Sequence, residues 1–324
     1  MGNAEPLRKA NQKLFDRAEL PVYKLAEANF VLSLGADLLG TWLSPVHYTH
    51  AYGEFRQGGA TRREARGRLV HVEPRMSLTA ANADSWIAPK PGAEVAIALA
   101  MAHVIVGEGL NQEKVDTEAW KAALSGFTPE RVAEMSGVDQ DLIVNTARDL
   151  ARVKPACVIA GANDSTQSTA LAVAAQLLNW LTGNLGESVR FDAPVISDLV
   201  PTLSDLAALS RLKDSLESGQ ARVVIFIDTN PIFTLPERLG LAKAVEKADL
   251  RVFFGHFMSE TAELCNVVLP MTTQFESWWD SVPAAPVGAT VMNLTRPVIE
   301  PMSEARQPED VLLTLMGELG LEKP

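Results

Sequence analysis

The sequence predicts an α/β protein with two lobes, in which mostly parallel sheets carry helices on both faces. Short, β-rich apolar runs alternate with longer stretches of helical periodicity, which is the pattern of a parallel sheet wound with helices. The chain has 324 residues and an apolar fraction of 47%, which is enough for a substantial core in each of two lobes of ordinary domain size.

Six apolar runs are predicted to be strands, because most of them end in Gly, Asp, Asn or Pro, which interrupt regular structure. They cover residues 30–34, 69–72, 157–160, 223–227, 251–254 and 267–269.

Seven segments with apolar residues at helical spacing are predicted to be helices. They cover residues 94–106, 117–124, 129–135, 140–152, 168–181, 237–247 and 308–319. Thr128 and Asp139 stand where they can cap two of these helices. The segment from Gly183 to Pro201 is rich in Gly, Pro, Asp and Ser, and it is the best candidate for a crossing between the lobes.

Composition excludes several classes of protein. Lys and Arg total 29 against 40 for Asp and Glu, and the net charge of −11 has the wrong sign for a protein that coats nucleic acid.

The apolar run 93–106 contains Glu94 and His103 and is too short to cross a bilayer, so it predicts a buried helix. The first residues carry neither an apolar signal core nor an arginine pair, so we expect no export signal in this chain and leave the compartment open.

The cysteines and histidines predict no metal site. Cys157 and Cys265 are the only cysteines and have no CxxC spacing, so this chain alone cannot build a cysteine-ligated zinc site or a four-cysteine iron–sulfur cluster. His47 and His50 suggest a metal pair, but zinc needs three or four ligands, and scattered structural histidines are the better explanation. No residue is assigned a catalytic role.

Ligands of open α/β sheets collect at the carboxyl ends of strands, where loops and helix N-termini present backbone donors. The first predicted strand is followed by Gly35, which allows close backbone approach, and by Asp37, which can accept a hydrogen bond from a hydroxyl. The alternative for Asp37 is a capping residue in an ordinary turn.

The second predicted strand ends in Glu73, followed by Arg75 and Ser77. An acid at this place suits a ribose, the planar guanidinium suits a phosphate, and Ser77 or Thr79 can add a hydroxyl donor. A surface Glu–Arg ion pair is the alternative. Farther along, Gly92 and Glu94 lead into the apolar helix, where Glu94 can cap the helix or accept from a guanine edge.

Gly161 and Asn163 follow the third predicted strand and precede a long helix, a suitable place for a diphosphate to meet backbone amides. The chain contains neither the G-x-G-x-x-G fingerprint nor a Walker A loop. Their absence disfavours ordinary nicotinamide and ATP enzymes.

The second half of the chain repeats the pattern of polar residues at strand ends. Asp228, Asn230 and Pro231 follow one strand, and Glu260 with Thr261 follows the next. These residues are candidates for the same ligand. Plain capping is the alternative, because the serine before Glu260 is a natural helix start.

In this order, the loops resemble those of molybdopterin oxidoreductases of the dimethyl sulfoxide reductase and formate dehydrogenase type. The similarity runs from about residue 20 to the end of the chain, and residues 41–46 are closest to polysulfide-reductase-like and quinol-linked membrane-complex subunits. The motifs that carry the resemblance are SLGAD (33–37), VEPR (72–75), AD (83–84), PGAE (91–94), LNWLTGNLG (178–186), DTNP (228–231), ETA (260–262), VVLP (267–270) and ESW (276–278).

The resemblance implies two Rossmann-like lobes, residues 1–188 and 189–324, similar to the first and, incompletely, the second dinucleotide-binding domain of that family. It implies that the loops named above hold molybdopterin guanine dinucleotide. It also implies that an iron–sulfur electron-transfer subunit and a membrane quinone-reactive subunit are partners. The expected function is the cofactor-binding part of a molybdenum or tungsten oxidoreductase, in a larger complex or as a fragment of a longer chain.

The chain departs from the family pattern at two positions, and the second departure favours an alternative. Glu73 stands where relatives carry Asp, which keeps the acid, and Asn266 stands where Asp is common, which loses a carboxylate. The alternative is a structural subunit of a quinol-linked membrane complex that keeps the fold without molybdenum. A generic Rossmann dehydrogenase is disfavoured, because the glycine fingerprint is missing.

Overall fold

The computed structural model describes residues 4–57, 66–161, 167–191, 206–282, 289 and 291–321. These residues fall into two compact units. The first unit lies within residues 1–201 and 282–291, and the second lies within residues 202–281 and 292–324. Each unit contains a parallel sheet of its own.

The strands are β1 (Val22–Tyr23), β2 (Phe30–Leu34), β3 (Arg68–Val72), β4 (Ser85–Ile87), β5 (Ala156–Ala160), β6 (Val189–Arg190), β7 (Val223–Ile227), β8 (Leu250–Gly255), β9 (Val267–Pro270), β10 (Trp279–Ser281) and β11 (Asn293–Thr295).

The α-helices are α1 (Glu5–Phe15), α2 (Pro45–Arg56), α3 (Leu78–Ala81), α4 (Glu94–Gly107), α5 (Thr117–Ala123), α6 (Pro129–Ser136), α7 (Gln140–Arg152), α8 (Ser168–Leu181), α9 (Leu206–Glu217), α10 (Pro231–Thr234), α11 (Leu241–Val245), α12 (Glu260–Glu263) and α13 (Pro308–Glu318). Short 3-10 turns are formed by Leu25–Glu27, Ser125–Phe127 and Glu237–Leu239.

The sheet of the first unit has the strand order β4-β3-β2-β5, and all of its strands are parallel. Every residue of β2 and β5 is buried, as expected for strands that are covered on both faces. The apolar helices α4 and α8 pack against each other and supply much of the core, because their many alanines allow close approach.

The sheet of the second unit has the order β7-β8-β9, again parallel. Burial alternates along β7, since successive side chains of a strand point to opposite faces. Val224 and Phe226 belong to the core, whereas Val223, Ile225 and Ile227 are 54%, 40% and 42% exposed. One face of this sheet is therefore open at β7.

Two small antiparallel pairs complete the described structure. β1 pairs with β6 in the first unit, and β10 pairs with β11 in the second.

The predicted α/β class with mostly parallel sheets is confirmed. Four predicted elements, β2, β7, α7 and α8, have the bounds that the sequence indicated. The predicted caps are also observed, since Thr128 Oγ1 accepts from the Arg131 N–H at 3.4 Å and Asp139 Oδ1 accepts from the Asp141 N–H at 2.7 Å. The apolar run 93–106 forms the buried helix α4.

Other predictions differ from the structure. The single helix expected over residues 237–247 is wrong, because Gly240 has φ +68° and separates the 3-10 turn Glu237–Leu239 from α11. Helices α1, α2 and α9 and the three-residue strand β4 were not predicted. Of the expected crossing at 183–201, residues 192–201 lie outside the described residues, and Val189–Arg190 form β6.

Candidate functional site

The carboxyl edge of the first sheet contains a topological switch point. The chain moves from β2 to β3 to β4 in one direction and then places β5 on the other side of β2. The loops after β2 and β5 consequently leave the sheet in opposite directions, and ligands of open α/β sheets bind in the crevice between such loops. Gly35 follows β2 and Gly161 follows β5.

Gly35 and Gly161 bring the two loops into backbone contact. The Gly161 N–H donates to the Leu34 carbonyl at 2.8 Å, and a Cβ on Gly161 would lie only 1.9 Å from the Gly35 carbonyl oxygen. Gly35 itself has φ +67°, a conformation that glycine adopts readily. Glycine is thus required at position 161 by close approach. Asn163, the other residue predicted after β5, lies outside the described residues.

Asp37 is engaged by the protein's own groups. Its Oδ1 accepts from the Thr79 hydroxyl at 2.7 Å and from the Thr79 N–H at 3.3 Å. The same hydroxyl accepts from the Leu39 N–H at 3.1 Å, which ties the loop after β2 to the start of α3. A side chain on Gly40 would meet Asp37 Oδ2 at 2.3 Å, so this oxygen lies against the turn. Asp37 therefore shapes the loop.

Glu73 is a buried acid at the end of β3. His71 Nε2 lies 3.0 Å from Glu73 Oε2, and the two side chains are 0% and 6% exposed. Trp86 Nε1 donates to the Glu73 carbonyl at 2.8 Å and fixes its backbone. Burial acts to raise the pKa of the Glu73 carboxyl, but hydrogen bonds from His71 and Ser77 outweigh it and hold the pKa below its usual value.

Arg75 and Ser77 lie directly beyond this acid. The Arg75 side chain is 72% exposed, and its Nη2 lies 3.6 Å from Glu73 Oε1. The sequence alternative of a Glu–Arg ion pair is thus observed, but one partner is buried and the other reaches solvent. Ser77 is buried and caps α3, where its hydroxyl accepts from the Ala80 N–H at 3.2 Å.

Gly92 and Glu94 lie after β4, next to β3 in the sheet. Gly92 has φ +88°, and a Cβ placed on it would lie 4.0 Å from Gln167 Nε2. Glu94 begins α4, and Gln167 precedes α8, so the N-termini of these two helices are neighbours at the carboxyl edge. Neither helix is capped by the side chain of the residue before it. First-turn N–H groups and the helix dipoles favour anions at such places.

The carboxyl edge of the second sheet collects the other predicted residues. Asn230 Nδ2 donates to Glu260 Oε2 at 2.7 Å, and Asn230 Oδ1 accepts from the Thr261 hydroxyl at 2.7 Å. The Asn230 hydrogen bond holds the pKa of Glu260 below its usual value. Asp228 is exposed with φ +46°, and Pro231 begins α10.

The two edges have the same hydrogen-bond framework. In the first unit the Gly35 N–H donates to the Val72 carbonyl at 2.9 Å, and in the second the Asp228 N–H donates to the Phe254 carbonyl at 2.8 Å. The Thr79 bonds to Asp37 and Leu39 are repeated by Thr261, which bonds to Asn230 and accepts from the Ile232 N–H at 3.3 Å. Ser77 and Ser259 cap the helices that follow.

The correspondence between the two units extends to Asn266, the position at which Asp is common in relatives. Asn266 Oδ1 accepts from the Arg251 N–H at 2.9 Å, as Asp84 Oδ2 accepts from the Leu69 N–H at 2.8 Å. Both side chains tie the residue before a strand to the neighbouring strand. Position 266 therefore needs a side-chain acceptor for a structural hydrogen bond, and the Asn266 amide oxygen serves as well as a carboxylate.

A profile of the molybdopterin oxidoreductase family matches residues 10–316. The chain belongs to this family. Family membership implies a molybdenum pterin cofactor, and the predicted resemblance to molybdopterin oxidoreductases is confirmed.

Relatives within the molybdopterin oxidoreductase family are subunits of redox enzymes. The chain is 30% identical to the menaquinone reductase, molybdopterin-binding-like subunit of Nitratidesulfovibrio vulgaris, over 99% of this chain and 47% of that protein. It is 28% identical to the molybdopterin-containing subunit of thiosulfate reductase from Salmonella typhimurium, over 81% of this chain and 41% of that protein. The chain thus spans less than half the length of these relatives.

Acetylene hydratase from Pelobacter acetylenicus has a similar structure, with a TM-score of 0.71 and 20% identity over 98% of this chain and 50% of that one. At this identity the likeness concerns the fold.

The side chains at the first edge suit a ligand that carries hydroxyl and anionic groups. A buried carboxylate, an exposed guanidinium, a glycine with positive φ and two neighbouring helix N-termini lie along one edge. Among the described residues there is no group of three or more His, Cys, Asp or Glu side chains that suits a metal ion. In the same part of the chain, no helix has the length and apolar character needed to cross a bilayer.

Sequence reasoning missed His71 and Gln167 as contributors to the edge, and it named Thr79 only as a hydroxyl donor to a ligand, not as the partner of Asp37. His71 had a detectable signal, since it is a polar residue in an otherwise apolar run, two positions before Glu73 and on the same face of the strand. The contacts of Thr79 and Gln167 join segments far apart in the chain, and no local pattern indicates them.

Proposed function

We propose that this chain holds molybdopterin guanine dinucleotide, as the cofactor-binding part of a molybdenum or tungsten oxidoreductase within a larger redox complex or a longer chain. The observation that supports this most strongly is the presence of Glu73, Arg75 and the N-termini of α4 and α8 at the carboxyl edge of the first sheet. In this proposal residues 1–188 and 189–324 correspond to two dinucleotide-binding lobes.

Each group at the edge has a separate part in binding. Glu73 accepts hydrogen bonds from ribose hydroxyls, because its lowered pKa keeps it ionised. Arg75 pairs with a phosphate through its planar guanidinium, and backbone N–H groups at the starts of α4 and α8 donate to the remaining phosphate oxygens. When bound, the cofactor supplies two-electron, oxygen-atom or sulfur transfer at its metal.

In the second unit, Asp228, Asn230, Pro231, Glu260 and Thr261 form the corresponding edge for a second dinucleotide. We propose an iron–sulfur electron-transfer subunit and a membrane quinone-reactive subunit as partners. Relatives named as subunits of menaquinone reductase and thiosulfate reductase support this assignment.

Calorimetric titration of the full chain with guanosine diphosphate tests the proposal. We expect saturable binding, and we expect Arg75→Ala to weaken it by about 1.5–3 kcal/mol, because a charge-assisted bond to phosphate is lost. Arg152→Ala is the matched control. It removes the same charge at the end of α7, just before β5 and therefore at the opposite edge of the sheet. Equal affinity of the two variants would remove Arg75 from the site.

A second candidate function is a structural subunit that keeps the fold without molybdenum. The name of the Nitratidesulfovibrio relative, a molybdopterin-binding-like subunit, favours it. Asn266 no longer does, since its amide accepts the same backbone bond as Asp84. Pterin fluorescence after heating, together with metal analysis of the complex isolated from its native source, distinguishes the candidates. Absence of both pterin and metal would support the structural subunit.

A further inference from the structure

We propose that His71 is a positioning residue that fixes the Glu73 carboxylate for ribose binding. This inference rests on the proposed function, because it assigns a supporting residue to the same edge. Nothing in the family assignment or the names of the relatives involves position 71.

The strand geometry places the two side chains together. His71 and Glu73 are two residues apart, so they lie on the same face of the extended chain. The ring is wholly buried between β2 and β4, whose facing residues in the register are Ser33 and Trp86. Its Nε2 lies 3.0 Å from Glu73 Oε2, and Trp86 Nε1 donates to the Glu73 carbonyl at 2.8 Å.

The hydrogen bond determines which nitrogen carries the proton. An ionised carboxylate only accepts, so Nε2 is the donor of this hydrogen bond. In the described part of the chain, Nδ1 has no hydrogen-bond partner although it is buried. A buried polar atom without a partner costs stability, which a ring used only for packing would avoid.

The second unit contains such a packing ring. By strand register, Phe253 occupies the place of His71, and Gly255 occupies the place of Glu73. A Cβ on Gly255 would lie 2.4 Å from the Phe253 ring, so an aromatic ring at this position packs over the residue two places on. The fold therefore accepts phenylalanine at this strand position. Histidine occupies it in the first unit, where an acid lies two residues farther along the strand.

With Oε2 held by His71, Oε1 can still accept from a ligand, because each carboxylate oxygen accepts more than one hydrogen bond. Glu73 Oε1 lies 3.6 Å from the exposed Arg75 guanidinium, which marks it as the oxygen nearest the rim. The hydrogen bond from His71 also counters the effect of burial on the pKa of Glu73. His71 therefore keeps the Glu73 carboxylate both oriented and ionised. In this state Glu73 accepts a hydrogen bond from a ribose hydroxyl and is not itself a donor.

The variants His71→Phe and His71→Gln test the inference in the full chain. Phenylalanine reproduces the ring of the second unit without the donor, and glutamine restores an N–H at a similar reach. Guanosine diphosphate affinity is measured by calorimetry from pH 8 down to pH 5.5, above the isoelectric point of about 5.0. The affinity of each variant is divided by that of the wild type at the same pH, so that protonation of the ligand affects both values equally and cancels. In parallel, ¹³C NMR of the free proteins follows the Glu73 carboxyl.

In His71→Phe the pKa of Glu73 should rise, because burial is no longer opposed by this hydrogen bond. Its affinity relative to the wild type should fall as the pH is lowered and reach about a tenfold loss at pH 5.5, whereas His71→Gln should stay close to the wild type throughout. A loss that is equal at all pH values and in both variants, or an unchanged Glu73 pKa in His71→Phe, would overturn the positioning role. A wild type that does not bind guanosine diphosphate at all would instead contradict the proposed function, and the ligand-directed role of His71 with it.

Discussion

The two sheet edges differ in the side chains that a common backbone framework carries. In the first unit, β3 ends in the polar pair His71 and Glu73, whereas the matching positions of the second unit hold Phe253 and Gly255. The first sheet also reverses its strand order at β2, whereas the described β7-β8-β9 sheet runs in one direction. The loop hydrogen bonds are nearly identical in the two units.

This comparison separates structural from ligand-directed polarity. Side chains repeated in both units, such as Thr79 and Thr261, hold the loops in shape. Side chains present at one edge only, such as Glu73 and Arg75, are the ones to consider for binding. A polar residue at a strand end is therefore informative when its counterpart in the other unit is missing.

The largest effect should come from adding a methyl group to the tight contact between the loops after β2 and β5. In Gly161→Ala, the new methyl group would overlap the Gly35 carbonyl oxygen, which cannot move without displacing β2. We expect a loss of about 3 kcal/mol or more in the free energy of unfolding of the first unit. Gly107→Ala at the end of α4 is the control, because nothing lies within 4 Å of its added methyl. Equal stability of the two variants in urea would show that the loops do not touch.

The next effect comes from transferring the polar pair to the second unit. Gly255→Glu alone should cost about 2–3 kcal/mol, because its side chain meets the Phe253 ring and its charge has no donor. Adding Phe253→His should recover about 1 kcal/mol through the new hydrogen bond. A double-mutant cycle measured by urea unfolding provides the coupling. Strict additivity would refute the equivalence of the two positions.

A smaller effect should distinguish the two threonines. Thr79→Val removes a bond to the Asp37 carboxylate, and Thr261→Val removes one to the Asn230 amide. Since bonds to charged acceptors are stronger, we expect losses of about 2 kcal/mol and about 1 kcal/mol, respectively. Hydrogen exchange resolved by peptide mass spectrometry reports the local stability of each unit. The reverse order would show that the loops are not held in the same way.

The smallest effect concerns the stability of the first unit at low pH. Burial acts to raise the pKa of Asp84, but hydrogen bonds from Arg56, the Leu69 N–H and Arg66 outweigh it and hold the pKa far below its usual value. A carboxyl with a lowered pKa in the folded state adds stability above its unfolded pKa of about 4 and loses it as the pH falls. We expect the stability of the first unit to fall between pH 5 and pH 3, and Asp84→Asn to reduce this dependence. Urea titrations over this range measure it. An unchanged pH dependence in Asp84→Asn would assign it to other groups.

The sequence predicted most of the sheet framework, because β2, β7 and their neighbours are apolar runs ended by Gly or Asp. It did not predict β4, since three residues are too few to display a period. At the edge, Asp37 and Ser77 had both a structural and a ligand-directed explanation, and only the partners Thr79 and Ala80 reveal how the protein itself uses them. The Gly35–Gly161 contact joins the ends of β2 and β5, between which helices α2 to α7 lie in the chain, and no local pattern indicates it.

The open face of β7 has a practical consequence. Its alternate residues Val223, Ile225 and Ile227 leave aliphatic surface in water, in a segment of high β propensity without charge or proline. Such segments drive self-association and, at high concentration, precipitation. Spectroscopic and calorimetric samples of this chain are therefore best kept dilute and fresh.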